Sequence, residues 1–355
     1  MNEILLGKLT IIIFSYNRHK CLKRTINYWS RFSVKLLILD GSDVKLEDPC
    51  LKEKNIRYIY DPRGFYDRLL TSKDYIETEF IILGSDDEFY ITSALASCIN
   101  FLIKEPTYSS CGGRAIGFHT KEKNILGSEM YPKLRGFLLD SDSPLSRIQK
   151  HFENLEVAHL YSVSRSDNWR VICRYVFEKE YSFFASMELQ IEFLTVLAGK
   201  SKIIPELMWM RNQDEPPIRG TSPSLSYTAR IPKWWHDKKY HDEKEDFLKR
   251  MKKACGELLK DHFFKIDEDM IKKLFEIHIN KSLKENFLQK PFLRKIIDLT
   301  PQKIREIIKK ILVLYKFKIT KYENLVDEAN HLESQGVLVN YKELNQIISI
   351  LQDEL

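Results

Sequence analysis

The chain has 355 residues, of which 43% are hydrophobic and 12% aromatic, which is typical of a packed globular protein and excludes a disordered one. Its 56 basic and 50 acidic residues leave a net charge of +6, an excess too small to predict nucleic-acid binding by the whole chain. The sequence shows no signal-peptide pattern at its start, no apolar run of the roughly 18 residues that span a bilayer, and six cysteines without a CxxC pair. We therefore expect a cytoplasmic protein with reduced thiols, held at most at the inner face of a membrane.

Residues 1–103 alternate between strand-like and helix-like segments. Apolar runs typical of buried strands predict strands over Leu9–Phe14 and Val34–Leu39. A short third strand is predicted over Ile56–Tyr60 and a fourth over Phe80–Leu83. Apolar residues at helical spacing predict helices over His19–Phe32, Gly64–Ile76 and Ala94–Ile103. This alternation predicts an α/β fold in which helices cover a mostly parallel sheet.

The pattern is less regular after residue 110. Cys111-Gly112-Gly113 predicts a turn, and the segments that follow predict a strand over 157–163, helices over 169–177 and 187–198, and a strand over 202–204. A segment rich in proline, residues 213–224, predicts a loop or a domain boundary. We therefore divide the chain into a catalytic domain of residues 1–230 and a helical carboxy-terminal region of residues 231–355.

The carboxy-terminal region contains a strongly basic segment. Residues 281–320 hold 11 Lys or Arg and 3 Asp or Glu, a balance of +8. Within it, Thr300 as a cap and Pro301 as the first helical residue predict an amphipathic helix, and the whole segment 291–318 is a candidate for contact with anionic lipid. Packing on the catalytic domain and a homo-oligomer interface are the alternative interpretations.

Polar residues follow three of the predicted strands at the point where each strand ends. They are the clusters Ser15–Arg18, Asp40–Asp43 and Ser85–Glu88. Ligands of open α/β sheets bind beyond the carboxyl ends of the strands, so this coincidence predicts a binding site. Asp86 and Asp87 are the candidates for holding Mn²⁺ or Mg²⁺, because two adjacent carboxylates need a positive charge near them. The alternative is a helix cap with acidic residues in its first turn.

The other two clusters carry similar alternatives. Asp40-Gly41-Ser42-Asp43 either places a carboxylate against a ribose or base, or is an ordinary turn after a strand. Tyr16-Asn17-Arg18 either supplies backbone contacts and a stacking ring, or simply begins a helix.

The motifs together resemble the inverting family 2 glycosyltransferases with the GT-A fold, and within them a bacterial polysaccharide-type subgroup. The segment TIIIFSYNRHKCLKR resembles their opening strand and helix, ILDGSD resembles their Asp-Gly-Ser motif, and FIILGSDDEF resembles their metal motif. The similarity covers roughly residues 8–215. It implies a GT-A catalytic domain with a helical extension, a nucleotide-sugar donor, usually a UDP-sugar, and an acceptor hydroxyl on a surface polysaccharide or glycolipid.

The resemblance also implies roles for individual residues. Asp40 contacts the base or ribose, and Asp86 and Asp87 carry the metal and the donor diphosphate. Glu188, at the start of a late helix, is the best match for the base that deprotonates the acceptor, with Glu192 as the runner-up. The remaining residues expected to line the donor site are Phe14, Tyr16, Asn17, Arg18, Arg63, Arg68, Ser85 and Arg211. The arginines are included because a guanidinium binds phosphate oxygens in two places.

The sequence departs from the family pattern at Phe14, at Gly84 and at Glu188, where the usual Glu-Asp pair is missing, and the last two departures keep a non-catalytic function open. Phe14 stands where the family usually has Pro, and Gly84 stands where many members have a further Asp. A sugar nucleotidyltransferase is one alternative, although the glycine-rich loop of that class is absent after the first strand. A non-catalytic protein that binds nucleotide sugars is the other.

Overall fold

The structure is a computed structural model, and it describes residues 2–122, 124–156, 159–183, 185–214, 227–260, 264–289 and 323–352. The basic helix predicted over 291–318 and all but the first two residues of the loop predicted over 213–224 lie outside these residues. In the described part of the chain, no helix is both long and apolar enough to cross a membrane.

Eleven strands of the described residues form a single sheet. They are β1 (Leu9–Ser15), β2 (Lys35–Asp40), β3 (Ile56–Tyr60), β4 (Phe80–Ser85), β5 (Phe89–Tyr90), β6 (Tyr108–Lys121), β7 (Asn124–Met130), β8 (Leu138–Leu139), β9 (Val163–Arg165), β10 (Lys200–Asn212) and β11 (Glu323–Asn324). The main path of the sheet runs β11-β7-β6-β9-β4-β1-β2-β3, and β10 pairs with β5, β6 and β8.

One described helix precedes β1, and the others lie between and after the strands. They are α1 (Asn2–Leu6), α2 (His19–Trp29), α3 (Phe65–Ser72), α4 (Thr92–Lys104), α5 (Pro144–Glu153), α6 (Ser166–Val176), α7 (Ala185–Ala198), α8 (Tyr227–His236), α9 (His241–Leu258), α10 (Glu268–Gln289), α11 (Leu325–Ser334) and α12 (Tyr341–Gln352). The sequence accounts for the start of α5, because Ser143 caps it and Pro144 is its first residue.

Four neighbouring strands, β3, β2, β1 and β4, are parallel, as predicted from the alternation of strands and helices. Their register places Ser15 beside Asp40 and Phe14 beside Ser85, so the predicted polar clusters meet at one edge of the sheet. Antiparallel pairs, such as β4 with β9 and β6 with β7, extend the sheet on the far side of β4.

Successive residues of the central strands pack on opposite faces of the sheet. Ile11 and Ile13 join one hydrophobic cluster together with α2, α4, α11 and α12. Ile12 joins a second cluster, formed with α3 and the helices α5 to α10. The predicted burial of β1 and β2 is therefore confirmed, whereas β3 has no buried residue. The helices after residue 230 share the core of the sheet.

The turn predicted at Cys111-Gly112-Gly113 is wrong, because these residues lie inside β6. The glycines serve close packing instead of a turn. A Cβ on Gly112 would lie 2.4 Å from Ser162 Oγ, and one on Gly113 would lie 2.5 Å from Met208 Cβ.

Two other segments also differ from the sequence prediction. Residues 159–161 form a short 3₁₀ turn, and the strand follows at β9, so the strand predicted over 157–163 is misplaced. The strand predicted over 202–204 is only part of β10, whose pairing with β6 shifts register between Ile203 and Leu207. Such an irregularity interrupts the strand pattern in the sequence without ending the strand.

The last described segment returns to the sheet. β11 pairs with β7, and Glu343 in α12 accepts hydrogen bonds from the backbone amides of Thr92 and Ser93 at the start of α4. This carboxylate satisfies amides that have no partner within the helix. The carboxy-terminal helices thus stabilise the amino-terminal end of a helix in the first hundred residues.

Candidate functional site

The acidic side chains after β4 form the centre of the site, and we call Asp86, Asp87 and Glu88 the strand-edge cluster. Asp86 is fully buried, and its Oδ2 accepts a hydrogen bond of 2.7 Å from Ser15 Oγ. Asp87 Oδ1 accepts one of 2.6 Å from Ser85 Oγ. The ends of β1 and β4 therefore position both carboxylates of the predicted metal motif.

Arg18 joins the two aspartates. Its NH1 lies 3.2 Å from Asp86 Oδ1, and its NH2 donates to Asp87 Oδ2. Asn212 Nδ2, at the end of β10, donates a 3.3 Å hydrogen bond to the same Asp87 oxygen. One guanidinium thus contacts two adjacent carboxylates.

Burial raises the pKa of Asp86 to about 7. Arg18 opposes this rise and the negative charge of Asp87 adds to it. At neutral pH this carboxyl is therefore near its point of half-ionisation, and any added positive charge favours its ionised form.

Gly84 precedes these residues and explains one departure from the family pattern. A Cβ at this position would lie 3.3 Å from Ile11 Cγ2 and 3.6 Å from Tyr90 Cε2. A third carboxylate here would therefore begin among apolar side chains.

The cluster after β2 forms a neighbouring, tightly bonded loop. Asp40 is fully buried; its Oδ1 accepts from the amide and hydroxyl of Ser42, and its Oδ2 accepts a 2.6 Å bond from Tyr58. Asn17, in the left-handed region at φ 56°, exchanges hydrogen bonds of 2.9 Å with Asp43. The structure therefore uses both oxygens of Asp40 within the chain.

Two aromatic residues at the end of β1 face different surroundings. Tyr16 is 41% exposed, and its hydroxyl donates to Asp43 Oδ1. Phe14 is half-buried, and its ring packs edge-on against Phe65. Only the Tyr16 ring is open to a ligand.

The arginines predicted to hold a diphosphate occupy different environments. Arg68 is buried, and its NH1 donates to the backbone oxygens of Ser15 and Leu39, where β1 and β2 end. Arg63 is exposed and forms several hydrogen bonds with Asp61. Arg68 thus fixes the strand ends, whereas Arg63 pairs with its neighbour.

A group of aromatic and charged residues beyond Asp87 is absent from the sequence prediction, except for Arg211 and for Glu88, which ends the predicted cluster Ser85–Glu88. Glu88 accepts a 3.1 Å hydrogen bond from Trp209 Nε1 and lies 3.6 Å from Arg211 Nε. Tyr131 and Tyr161 stack on Trp209. Trp209 and Arg211 are two residues apart on β10, so they share one face of the strand, and this spacing is the signal that points to the group.

Burial raises the pKa of Glu88 to about 8, with Arg211 acting against the rise and Asp87 adding to it. Glu188, half-buried at the start of α7, shows a similar effect. Burial raises its pKa to about 7, Arg211 opposes this, and Glu192 adds to it. Arg211 therefore acts on both carboxyl groups, which links the predicted base to the strand-edge cluster.

Glu192 lies one turn further along α7 in a different setting, and with His151 and His159 it forms what we call the helix-core cluster. Its Oε2 accepts from both imidazoles, at 2.8 Å and 3.1 Å, and its Oε1 accepts from the Leu160 amide. Burial alone would raise the pKa of Glu192, but the hydrogen bonds outweigh it and lower the pKa to about 2. All three side chains are buried.

No family model and no curated protein matches this sequence. Among solved structures, S. aureus TarS 1–349 in complex with UDP-GlcNAc is 12% identical, with 82% of this chain and 78% of that chain covered and a TM-score of 0.50. The structure titled S. aureus TarS 1–349 without a named ligand is 10% identical, with 82% and 77% covered and a TM-score of 0.48. The first likeness shows a shared fold, so the predicted GT-A-like architecture is confirmed.

Proposed function

We propose that this protein is a glycosyltransferase that moves a sugar from a nucleotide-sugar donor to a hydroxyl group of an acceptor, with inversion at the anomeric carbon. The observation that carries the proposal is the meeting of three strand ends. They bring Asp40, Asp86 and Asp87 to one edge of the sheet, and Arg211 links this edge to Glu188. This edge is where α/β sheets bind nucleotides.

We assign the nucleotide to the loops after β1 and β2. The exposed Tyr16 ring offers a surface on which a base can stack, and the buried Asp40 holds the loop of Ser42 beside it. A UDP-sugar is the donor we favour, and the UDP-GlcNAc complex of TarS, which shares the fold, supports that choice.

The residues at the end of β4 fit a divalent cation. Asp86 and Asp87 present adjacent carboxylates that share the single guanidinium of Arg18, and oxygen ligands of this kind suit Mn²⁺ or Mg²⁺. When bound, such an ion neutralises charge on the departing diphosphate. Arg211, close to Glu88, supplies further positive charge on the same side.

We propose Glu188 as the general base. It takes the proton of the acceptor hydroxyl while that oxygen forms its bond to the anomeric carbon and the bond from this carbon to the diphosphate oxygen breaks. A carboxyl with a pKa near 7 is suited to accept a proton at neutral pH. Glu192 is fully buried and hydrogen-bonded, so we do not assign it this role.

The proposed acceptor is a surface polysaccharide or a glycolipid. The resemblance of the motifs to polysaccharide-type enzymes supports this class. Peripheral contact of segment 291–318 with a membrane would suit a lipid-linked acceptor, and this segment lies outside the described residues.

The proposal is tested by the release of nucleoside diphosphate from a panel of UDP-sugars in the presence of Mn²⁺. The panel is first ranked by the rise in melting temperature that each donor causes with and without Mn²⁺. We expect Asp87→Asn to lower the release at least about 10²-fold, because the cation that would stabilise the leaving group loses one of its carboxylate ligands. We expect Glu188→Gln to lower kcat by about 10²- to 10⁴-fold while the donor still raises the melting temperature.

Glu53→Gln, which changes an exposed carboxylate, is the control and should leave the release unchanged. Conversion of the UDP-sugar and added pyrophosphate to UTP and sugar 1-phosphate, without release of nucleoside diphosphate, would identify a nucleotidyltransferase and contradict the proposal. Donor binding without any turnover would identify a non-catalytic binding protein.

A further inference from the structure

Arg18 occupies the part of the strand-edge cluster to which a cation would bind. It precedes the first turn of α2, and its side chain is 14% exposed. Its two terminal nitrogens reach the two aspartates separately, NH1 to Asp86 Oδ1 and NH2 to Asp87 Oδ2. One side chain therefore bridges both carboxylates.

The remaining carboxylate oxygens are engaged by neutral hydroxyl groups. Asp86 Oδ2 accepts from Ser15 and Asp87 Oδ1 accepts from Ser85, at 2.7 Å and 2.6 Å. The oxygens that lack a short hydroxyl bond, Asp86 Oδ1 and Asp87 Oδ2, are those that Arg18 contacts. A divalent ion held by both aspartates through these oxygens must therefore displace the guanidinium.

Displacement by the ion alone is unfavourable. It moves a guanidinium away from two carboxylates and leaves it close to a doubly charged cation, so it loses attraction and gains repulsion. A nucleoside diphosphate changes this balance, because its phosphate oxygens accept bidentate hydrogen bonds from arginine and also ligate the metal.

We propose that Arg18 is a resident counter-ion that prevents the site from binding a bare divalent cation, and that it turns from the aspartates to the donor diphosphate when nucleotide and metal enter together. The inference rests on the proposed function for the identity of the nucleotide. It makes metal binding dependent on the donor, and it assigns Arg18 two sets of partners, one in the empty site and one in the loaded site.

The test is Mn²⁺ binding to the purified full chain, measured by the electron paramagnetic resonance signal of free Mn²⁺, with and without UDP. Without UDP, we expect Arg18→Met to bind Mn²⁺ at least about tenfold more tightly than the wild type, because the competing cation is gone. With UDP, the wild type should gain at least about tenfold in Mn²⁺ affinity, whereas Arg18→Met should gain much less.

Lys20→Met is the matched control, because it removes one positive charge from the exposed side of the same helical turn. Its Mn²⁺ affinity should stay within about twofold of the wild type. A tenfold gain in this control as well would show a general charge effect and overturn the assignment to Arg18.

Arg18→Lys is a second variant that keeps the test decisive if Arg18→Met does not fold. A lysine keeps the charge but cannot bridge both aspartates with two donors, so its Mn²⁺ affinity should lie between those of the wild type and Arg18→Met. The melting temperature of each variant with and without Mn²⁺ gives a second measure, and Mn²⁺ should raise it most in Arg18→Met.

Equal Mn²⁺ affinities of Arg18→Met and the wild type without UDP would overturn the inference, and so would an equal effect of UDP in both. These outcomes are separate from failure of the proposed function. The measurement without nucleotide depends only on Arg18, Asp86 and Asp87, whereas the proposed function fails when no UDP-sugar is turned over.

Discussion

The strand-edge cluster and the helix-core cluster each contain a fully buried carboxylate, but they shift its pKa in opposite directions. Asp86 and Glu192 are both fully buried, yet the pKa of Asp86 is raised to about 7 and that of Glu192 is lowered to about 2. Glu192 accepts hydrogen bonds from two imidazoles and a backbone amide. Asp86 lies beside a second carboxylate with which it shares Arg18. The donors around a carboxylate, and not its burial, decide its charge here.

This difference distinguishes a cluster that supports the fold, the helix-core cluster, from one that is suited to binding, the strand-edge cluster. In the helix-core cluster both oxygens of Glu192 have donors, and these hydrogen bonds connect α5, the 159–161 turn and α7. His151 Nδ1 and His159 Nε2 are buried and have no hydrogen-bond partner among the described residues. The strand-edge cluster holds more negative charge than its neighbours neutralise well, which is the condition under which a cation or diphosphate binds. The two glutamates of α7 lie one turn apart and differ in the same way: Glu188 belongs with the proposed binding site and Glu192 with the structural cluster.

Glu192→Leu is expected to have the largest effect on stability. It leaves His151, His159 and the Leu160 amide without their buried acceptor, so we expect a loss of about 3 to 5 kcal/mol in the free energy of unfolding. Urea denaturation followed by circular dichroism at pH 7.5 measures it. Glu188→Gln is the matched control on the same helix and should change the value by less than about 1 kcal/mol. Equal stability of the two variants would show that the helix-core cluster is not a structural brace.

The next prediction uses pH to test the strand-edge cluster. The pKa of Glu88 rises from 4.5 to about 8 on folding, so the folded state holds this proton more tightly than the unfolded state. Its contribution to stability is therefore complete below pH 4.5 and is lost as the pH rises through about 8. Glu192 has the opposite sign, because its contribution is lost only when the pH falls from 4.5 towards 2.

We therefore expect Glu88→Gln to remove part of the fall in stability between pH 6.5 and 8.5. The difference in free energy of unfolding between the variant and the wild type should change by about 1 to 3 kcal/mol across this range, and the variant should gain relative stability as the pH rises. Urea unfolding in EDTA at each pH measures it, with the exposed Glu53→Gln as control. Parallel pH profiles for wild type and Glu88→Gln would contradict the raised pKa.

Much of the fold was accessible from the sequence because the central strands are buried on both faces. Leu9–Phe14 is a run of apolar residues interrupted only by Thr10, and it lies within β1. The strand predicted over Ile56–Tyr60 coincides with β3, although it contains the exposed Arg57. The strand β6 was not predicted, because two consecutive glycines, Gly112 and Gly113, are typical of a turn in the local sequence. Their real role depends on Ser162 and Met208, which are distant in sequence.

The site was accessible from the sequence only where its residues follow the central strands. Ser15, Asp40 and Asp86 come together because neighbouring parallel strands end at one edge. The contact of Trp209 with Glu88 depends on how β10 pairs with β5, which no local pattern specifies. The buried role of Glu192 likewise depends on imidazoles from two other segments.

The smallest expected effect compares one hydrogen-bond partner of a carboxylate in each cluster. Asn212→Ala removes a 3.3 Å hydrogen bond to Asp87, but Asp87 keeps Ser85 and Arg18 as partners. Asn212 also accepts a hydrogen bond from the backbone amide of Asp214, and Asp214 is exposed to water. We expect a loss below about 1 kcal/mol in the free energy of unfolding. His159→Phe removes a 3.1 Å hydrogen bond from Glu192 inside the core, so it should cost more than Asn212→Ala. If urea unfolding showed the reverse order, the hydrogen bond to Asp87 would stabilise the fold more than the one to Glu192. The strand-edge cluster would then be the structural brace, which contradicts its assignment as the binding site.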